Sequence, residues 1–397
     1  MKLLVILEMH FIRHNGQVYT EVTADTNFWN RYLEIFEEVL VCARMYDATP
    51  DFNPNNYLLS SRDRVEFIGL PDFYGSAGLV KNSLKTRKIV SKAVKMADRI
   101  IFRAPSPISL VAYPVIKKSR KPFAAELMMN PRTAYSKKAL NNKLQPFIQF
   151  AITKQTEDIC WNANGVSYVT EKVLQDLYPS RSIVLGETQE FFNASYSTIT
   201  LKENDFATNK SLNTNPITLV HSGKMEDYRK GQIIFLKIIK NLVNLGINVK
   251  GVLIGDGSKR IEFENLAKDL NIHTNIKFTG WLSGYSKVQE ELSMGDIFVF
   301  PTIGEGLPRS VIEAMANGLV CVSSPVDGVT ELIQNELLAD FDDIDKFVEI
   351  ITNLIDNKEQ MEEISSQNIK LSKKYHIDNL SKNRAEFYRK LKEVPNN

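Results

Sequence analysis

Short β-branched runs alternate along this chain with longer stretches of helical period, and this alternation limits the fold more than any other feature. Examples are "KLLVIL" and "EVLVCARM" near the start and "ITLVHSG" and "DIFVF" further on. Such continuously apolar runs are typical of strands in a parallel sheet that helices cover on both faces. At 397 residues the chain is long enough for two such units. We therefore predict an α/β fold with two Rossmann-like, doubly wound domains that face each other across a cleft.

A polar stretch marks the domain boundary. Residues 201–216, "LKENDFATNKSLNTNP", are rich in Asn and end in Pro216, as expected of a linker. We place the first domain at residues 1–205 and the second at residues 206–375. Residues 376–397 have apolar side chains at roughly helical spacing, so we predict a terminal helix that packs back toward the first domain.

Composition narrows the class of protein. The chain is 43% hydrophobic and 24% charged, which is typical of a soluble globular protein. No apolar run reaches the roughly 18 residues of a membrane span, and the first run is broken by Glu8 before it could serve as a secretory signal. The three cysteines are far apart in apolar stretches, which predicts core thiols rather than a disulfide or zinc framework. We therefore expect a cytoplasmic protein.

The stretch "GEGLPRSVIEAMANG", residues 304–318, places two carboxylates where a buried strand gives way to a helix. In a doubly wound sheet ligands bind at such junctions, because free amides and the helix dipole there favour an anion such as phosphate. Glu305 would lie in the loop beside the phosphate. Glu313, about two turns further on, could accept hydrogen bonds from neutral hydroxyls such as those of a ribose. Between the two acids, the residues that we expect at the same ligand are Gly306, Leu307 and Arg309.

Two carboxylates beside a phosphate require cations, and the stretch "VHSGKMEDYRKGQ" supplies them. A strand ends at Gly223, and Lys224, Arg229 and Lys230 follow before a long helix. A diphosphate could lie between these cations and the amides that follow Glu305.

Two further strand ends complete the predicted ligand site. "LIGDGSKR" forms a tight glycine turn at Gly255, and "FTGWL" provides Trp281 and Leu282 as a wall for a flat base. Each feature alone is more often structural, since glycines serve turns, surface lysines are solvated and tryptophans belong to cores. Four such junctions in one domain predict a site for a nucleotide diphosphate.

Together these motifs resemble the donor domain of retaining glycosyltransferases of the GT-B fold, in the large group 1 family that includes many capsule and exopolysaccharide enzymes of bacteria. Its signature is a glutamate, seven residues and a second glutamate, which Glu305 and Glu313 match. The resemblance implies that Glu313 binds the ribose and that Glu305 lies near the transferred sugar. It also implies that Lys224 and Lys230 bind the diphosphate. Lys224 stands where many members carry Arg, and residues 306–308 stand where many carry Gly-Phe-Gly.

The amino-terminal half resembles the family less specifically. Arg103 follows an apolar strand where many members carry a histidine, Glu126 closes the next strand, and Gly16 remains from the usual double glycine of the first loop. The resemblance implies that these strand ends face the donor domain. We therefore expect Arg103 and Glu126 beside Glu305 at the catalytic centre, and Gly16 at the donor. The missing histidine does not exclude transfer with retention, in which the departing phosphate can take the acceptor proton.

Residues 73–125 hold twelve basic residues and one acid, Asp98. Six of them recur at steps of three or four, so a helix would align them within an arc of about 80°. A solvated helix face is the plain interpretation, but no acid interrupts residues 73–97, so pairing along the helix does not explain the pattern. We predict docking to an anionic membrane surface rather than to nucleic acid, because no aromatics interleave with the cations. The six are Lys81, Lys85, Lys88, Lys92, Lys95 and Arg99.

These features predict a retaining hexosyltransferase at the cytoplasmic face of the plasma membrane. It would move a sugar from a nucleotide diphosphate sugar to a hydroxyl of a lipid-linked or polysaccharide acceptor in bacterial surface glycan synthesis. We expect no metal or other cofactor, because the cations can neutralise the diphosphate. One alternative is a nucleotide-sugar epimerase of the same fold, which would not need the basic face. Another is a catalytically silent sugar-binding partner of a transferase.

Overall fold

The computed structural model describes residues 1–21, 23–73, 75–140 and 143–396 of the chain, without the side chains of residues 76 and 77. The chain separates into two compact units. Unit 1 comprises Met1–Arg132, Pro146–Tyr196 and Leu380–Asn397, and unit 2 comprises Thr133–Gln145 and Ser197–Asn379. Residues 133–145 thus belong to unit 2, although they lie in the first half of the sequence.

The strands form one sheet in each unit. Those of unit 1 are β1 (Lys2–His14), β2 (Gln17–Thr20), β3 (Glu38–Asp47), β4 (Leu58–Leu59), β5 (Val65–Leu70), β6 (Arg99–Ala104), β7 (Phe123–Leu127), β8 (Gly165–Tyr168) and β9 (Phe192–Ser195). Those of unit 2 are β10 (Ile217–Ser222), β11 (Val249–Ile254), β12 (Ile276–Gly280), β13 (Ile297–Phe300) and β14 (Val320–Ser323).

Helices connect most of these strands. In the first half of the chain they are α1 (Asn30–Leu33), α2 (Gly75–Met96), α3 (Pro107–Ser119), α4 (Pro131–Ala134), α5 (Gln145–Asn162), α6 (Val173–Leu177) and α7 (Arg181–Leu185). In the second half they are α8 (Gln232–Asn244), α9 (Arg260–Asp269), α10 (Tyr285–Ser293), α11 (Arg309–Ala316), α12 (Ile344–Asp356), α13 (Lys358–Ser372) and α14 (Ile377–Glu393). Within the described residues, no helix is both long and apolar enough to cross a membrane.

The sheet of unit 1 is parallel except at β2, which pairs antiparallel with both β1 and β4. The strand order β4-β2-β1-β6-β7-β8-β9 has β3 on β1 and β5 on β3. The strands β1 and β2 pair antiparallel with His14 opposite Gln17, so Asn15 and Gly16 form a two-residue turn. Both residues have positive φ, at 48° and 77°, which is the conformation of a hairpin turn. Gly16 therefore lies at a hairpin tip of unit 1 and not in the predicted donor loop, because β1 runs into a second strand and not into a helix.

The sheet of unit 2 is entirely parallel, with the order β12-β11-β10-β13-β14. Its strands are short, and all except the edge strand β12 are largely buried, because helices cover both faces of the sheet. The order reverses between β10 and β13, which are neighbours in space but distant in sequence. In such a sheet ligands bind at this switch point, beyond the carboxyl ends of the strands.

The carboxyl-terminal segment completes unit 1. Arg99, the first residue of β6, is 3% exposed. Its guanidinium donates to the carbonyls of Leu391, Lys392 and Val394 and to the side chain of Asn396. The prediction that Arg99 ends the basic face of a helix is wrong, because α2 stops at Met96 and Arg99 instead binds the end of the chain.

Candidate functional site

A cavity of about 570 Å³ lies in unit 2 at the carboxyl ends of β10 and β13, the switch point of the sheet. Basic and acidic side chains line it together, from the loop after β10, the loop after β13 and the first turns of α11. The predicted donor residues among its lining are Gly223, Lys224, Arg229, Lys230, Glu305, Leu307, Arg309 and Glu313.

The two loops of the cavity are joined through Glu305. Its carboxylate forms an ion pair with Lys230, and the Thr302 hydroxyl donates to the same oxygen at 3.3 Å. The backbone amide of Ile303 donates to the carbonyl of Arg229 at 3.0 Å. The Glu305 side chain is only 13% exposed, whereas Lys230 is 34% exposed. The ammonium is therefore held in a fixed place at the cavity wall, where it can meet an anionic ligand.

Two glycines allow the loops to approach each other this closely. Gly231, at φ +79°, precedes α8, and a Cβ there would lie 1.7 Å from the carbonyl oxygen of Pro301. Gly255, at φ +133°, follows β11, and a Cβ there would lie 2.2 Å from the carbonyl oxygen of Gly223. No other residue type fits either place, which explains why glycine closes both turns.

Helix α11 presents its amino terminus to the cavity. It begins at Arg309, and Pro308 is the residue directly before the helix. No side chain of the described residues caps this end. The amides of the first turn, including that of Ser310, therefore remain available to an anion in the cavity.

Glu313 lies one turn into α11 with its carboxylate largely buried. Burial raises the pKa of Glu313 to about 7, although the nearby Arg309 guanidinium opposes this shift. Among the described residues, none donates a hydrogen bond to this carboxylate. A buried carboxyl group that lacks a partner is costly in free energy, so Glu313 is suited to bind hydroxyl donors from a ligand.

Asn317 is a neighbour that sequence reasoning missed. Its side-chain amide donates to the carbonyl of Glu313 at 2.9 Å and to the hydroxyl of Tyr285 at 3.3 Å. The Tyr285 pKa is raised by burial and by the charge of Glu313. The position of Asn317, one turn after the second glutamate of the motif, could have indicated it.

The turns after β11 and β12 lie side by side. The Asp256 carboxylate accepts from the backbone amides of Gly257 at 2.8 Å and Trp281 at 3.3 Å, and from Arg260 at 3.1 Å. The Gly257 amide contributes most to lowering the Asp256 pKa. Trp281 is 56% exposed, so its ring is accessible to a ligand and does not belong to the core. Leu282 follows it and is half-buried.

The predicted catalytic residues of unit 1 form a buried ion pair. Arg103 donates to Glu126 Oε2 at 2.9 Å, and the hydroxyls of Tyr196 and Tyr388 donate to Oε1 at 3.0 and 2.8 Å. Burial alone would raise the Glu126 pKa, but Arg103 and these hydrogen bonds outweigh it, and the pKa is lowered. Glu126 is 4% exposed and Arg103 20%. Of the two, Arg103 is therefore the one that a substrate can reach.

The basic face lies on α2 as the sequence predicted, apart from Arg99. Two apolar side chains stand among its lysines: Val80 is 74% exposed and Leu84 80%. The two lie one helical turn apart and are mostly exposed, so they are accessible to an external surface. The exposed lysines are Lys81, Lys85, Lys88, Lys92 and Lys95.

No cluster of three or more metal-ligating residues occurs in the part of the chain that the structure describes. The charged groups of the cavity are instead Lys224, Arg229, Lys230 and Arg309 on the cationic side, with Glu305 and Glu313 among the acids.

Comparison with known proteins agrees with this geometry. Residues 202–371 match the family described as glycosyl transferases group 1, a range that contains the whole cavity. Sucrose-phosphate synthase from Thermosynechococcus elongatus has a similar fold, with a TM-score of 0.71 at 14% identity over the full length of both chains. This likeness confirms the predicted α/β fold of GT-B type.

Two bacterial relatives are similar in sequence. Protein CapJ of Staphylococcus aureus is 25% identical over 402 aligned positions, which cover 100% of this chain and 97% of CapJ. The Escherichia coli UDP-Gal:alpha-D-GlcNAc-diphosphoundecaprenol alpha-1,3-galactosyltransferase is 29% identical over 136 positions, 33% of this chain and 34% of that enzyme.

Proposed function

We propose that this chain is a retaining hexosyltransferase that uses a nucleotide diphosphate sugar, since residues 202–371 match the family described as glycosyl transferases group 1. The observation that carries the proposal is the composition of the cavity at the switch point. It combines an ammonium held by Glu305 with a helix terminus and a buried carboxylate that receive no side-chain hydrogen bond from the residues that the structure describes. A diphosphate attached to a ribose offers a complementary group to each of the three.

The diphosphate would lie between the cations and the start of α11. Lys230 is oriented by Glu305, and Lys224 and Arg229 are exposed at the same rim. Lys230 is held by Glu305 before the ligand arrives, so its ammonium can stabilise the charge that develops on the leaving diphosphate. We expect them to serve in place of a metal ion.

The ribose would bind Glu313, whose carboxylate accepts hydrogen bonds from its hydroxyls. The base would then lie toward Trp281, since the turn after β12 neighbours the turn after β11 at the same edge of the sheet. On the other side of the diphosphate, the sugar would rest against the loop that holds Glu305.

We propose that the acceptor is lipid-linked and that α2 holds the enzyme at the inner face of the plasma membrane. The five lysines of α2 attract anionic lipid, each contributing on the order of 1 kcal/mol near the surface, and Val80 and Leu84 add apolar side chains that can enter the interface. The Escherichia coli relative acts on a diphosphoundecaprenol acceptor, as its name states. Arg103 is our candidate for the acceptor side, and CapJ makes capsule synthesis the pathway to test first.

Calorimetry and product analysis test this function directly. Wild-type protein is titrated with UDP, GDP, ADP and dTDP and with their hexose derivatives, in parallel with Glu313→Gln. We expect one nucleotide series to bind wild type and to lose affinity about tenfold or more in the variant, since a hydrogen bond to a charged group is removed. Lack of binding in every series would refute the proposal.

The second part of the experiment separates transfer from epimerisation. The nucleotide sugar that binds is incubated with lipid-diphosphate-linked saccharides, and the product is examined by NMR for the configuration of the new linkage. A retained anomeric configuration is the expected outcome. Conversion of the donor sugar without an acceptor would identify an epimerase, and binding without any turnover would identify a silent sugar-binding partner.

A further inference from the structure

The turn after β14 holds Asp327 in a conformation that favours glycine. Its φ is +38°, where a side chain is rarely tolerated. The Asp327 carboxylate accepts a hydrogen bond from the Thr133 hydroxyl. The next backbone amide, of Gly328, donates to the carbonyl of Gly306 at 3.0 Å. The strained turn therefore contacts the loop that carries Glu305.

Thr133 contacts the same loop. A Cβ built on Gly304 would lie 3.0 Å from the Cβ of Thr133 and 3.2 Å from its hydroxyl oxygen. Gly304 does not have a positive φ, so backbone geometry alone does not require glycine there. It is the approach of Thr133 that makes the space for a side chain tight there.

The loop is thus held from two sides. On one side Lys230 and Thr302 bind the Glu305 carboxylate. On the other side Thr133 lies against Gly304, and the amide of Gly328, the residue after Asp327, binds the carbonyl of Gly306. The second pair of contacts does not involve the side chains that we assign to the diphosphate or the ribose.

We propose that Thr133 and Asp327 are positioning residues for the sugar of the donor. They fix the backbone of Gly304 and Gly306, and this backbone forms the wall of the subsite where the transferred sugar rests. The inference rests on the proposed function, because it assumes that a sugar occupies the space beside Glu305. It adds that a segment from the first half of the sequence, residues 133–145, helps to shape a subsite of unit 2.

The expected consequence is selective. If Thr133 loses its hydroxyl, the Asp327 carboxylate loses that donor and the loop gains freedom at Gly304 and Gly306. The nucleoside diphosphate should bind as before, since Lys224, Lys230 and Glu313 are unchanged. The sugar should bind less well and react more slowly, because a small displacement at a reacting centre lowers the rate steeply.

Thr133→Val tests this with the nucleotide series that wild type binds. We expect the ratio of the dissociation constants of the nucleotide sugar and the nucleoside diphosphate to rise about fivefold to tenfold, and kcat to fall about tenfold. Thr133→Ser retains the hydroxyl and should restore both values. The matched control is Thr330→Val, because the Thr330 hydroxyl donates only to the Asp327 carbonyl, at 2.9 Å, and faces solvent. It should resemble wild type.

Asp327→Gly separates positioning from stability. Glycine removes the carboxylate and adopts a positive φ without strain, so the melting temperature should equal or exceed that of wild type. The ratio of the two dissociation constants and kcat should change as in Thr133→Val. The double variant should be no worse than either single one, because both remove the same hydrogen bond.

The outcomes distinguish the two proposals. If wild type binds a nucleotide sugar but Thr133→Val changes the ratio no more than Thr330→Val does, this inference is overturned and the proposed function stands. The same holds if Asp327→Gly loses activity only as far as its melting temperature falls. If wild type binds neither nucleotides nor nucleotide sugars, the proposed function itself fails.

Discussion

Lys230 and Glu305 form an ion pair that joins the loop after β10 to the loop after β13. Both side chains line the cavity, and the ammonium is the more exposed of the two. A diphosphate that binds there meets a cation whose position is already set. The cost in side-chain entropy is therefore paid during folding rather than during binding.

Lys230→Ala should lower the rate of transfer at least tenfold, because a fixed positive charge near the leaving diphosphate is lost. Steady-state kinetics at saturating acceptor measure the effect. Lys250→Ala is the matched control. Lys250 is an exposed lysine near the start of β11, so it lies at the amino ends of the strands, away from the cavity at their carboxyl ends. Equal rates for the two variants would place the diphosphate elsewhere.

Nucleotide binding should weaken as the pH falls below about 7, where the Glu313 carboxyl group takes up a proton. The ionised form accepts hydrogen bonds from the ribose hydroxyls at both oxygens, whereas the protonated form accepts fewer. Calorimetry between pH 5.5 and 8.5, both about one and a half units from this midpoint, gives the profile. In Glu313→Gln the step near pH 7 should be absent, and a wild-type profile that is flat through this range would remove Glu313 from the site.

The raised pKa of Glu313 also predicts how the free energy of unfolding depends on pH. The folded-state pKa of Glu313 is about 7 against a reference value of 4.5. The folded state therefore binds more protons than the unfolded state between these pH values, and the free energy of unfolding falls as the pH rises through this window. The fall amounts to about 3 kcal/mol at 1.36 kcal/mol per pKa unit.

Glu313→Gln should consequently be more stable than wild type at pH 8, and the advantage should shrink toward pH 4.5. Thermal unfolding of the two proteins without ligand at both pH values checks this. A variant that binds nucleotide less tightly yet melts at a higher temperature would mark Glu313 as a residue kept for function at the expense of stability.

Tyr388→Phe should lower the free energy of unfolding by about 1–3 kcal/mol, because the buried Glu126 carboxylate loses a hydrogen bond. Denaturant unfolding measures this change. Tyr228→Phe removes a similar hydroxyl, which donates to Glu262 at 2.7 Å on the surface, and should change stability little. If both variants were equally stable, the network around Glu126 would contribute nothing to unit 1.

Sedimentation with vesicles tests the basic face. Replacing Lys85, Lys88 and Lys92 with Gln should reduce co-sedimentation with anionic vesicles, and raising the salt should reduce it for wild type, because this attraction is screened over about 8 Å at physiological ionic strength. The control replaces Lys346, Lys358 and Lys370, which are exposed on α12 and α13 of unit 2. Both triple variants remove three positive charges. An equal loss in both would show that net charge acts, and not the face of α2.

Sequence patterns predicted the parallel sheets and the charged groups of the cavity, because both depend on local order. Gly223 and Lys224 follow one apolar strand, and Glu305 follows another. Because the carboxyl ends of parallel strands lie at the same edge of the sheet, these residues are expected there. Contacts between distant segments were not predictable in this way. Nothing near Arg99 indicates that it binds carbonyls almost 300 positions away, and the spacing of the lysines before it favoured a helix instead.

Gly16 and Glu126 illustrate two further limits. A glycine after an apolar strand is compatible with a phosphate loop and with a hairpin, and only the pairing of β1 with β2 decides between them. A carboxylate at a strand end is compatible with catalysis and with a buried network. Tyr196 and Tyr388, whose hydroxyls bind Glu126, lie 70 and 262 positions away in the sequence.

The hydrogen bonds between Arg99 and residues 391–396 also have a consequence for the order in which the two units can fold during synthesis. Unit 1 consists of three separate pieces, and the last of them begins at Leu380. During synthesis the ribosome delivers the strands of unit 1 early, but the partners of Arg99 and the Tyr388 hydroxyl emerge after the residues of unit 2. The last residue of unit 2 is Asn379. The nascent chain can therefore complete its second unit while the first, although older, still waits for its final helix.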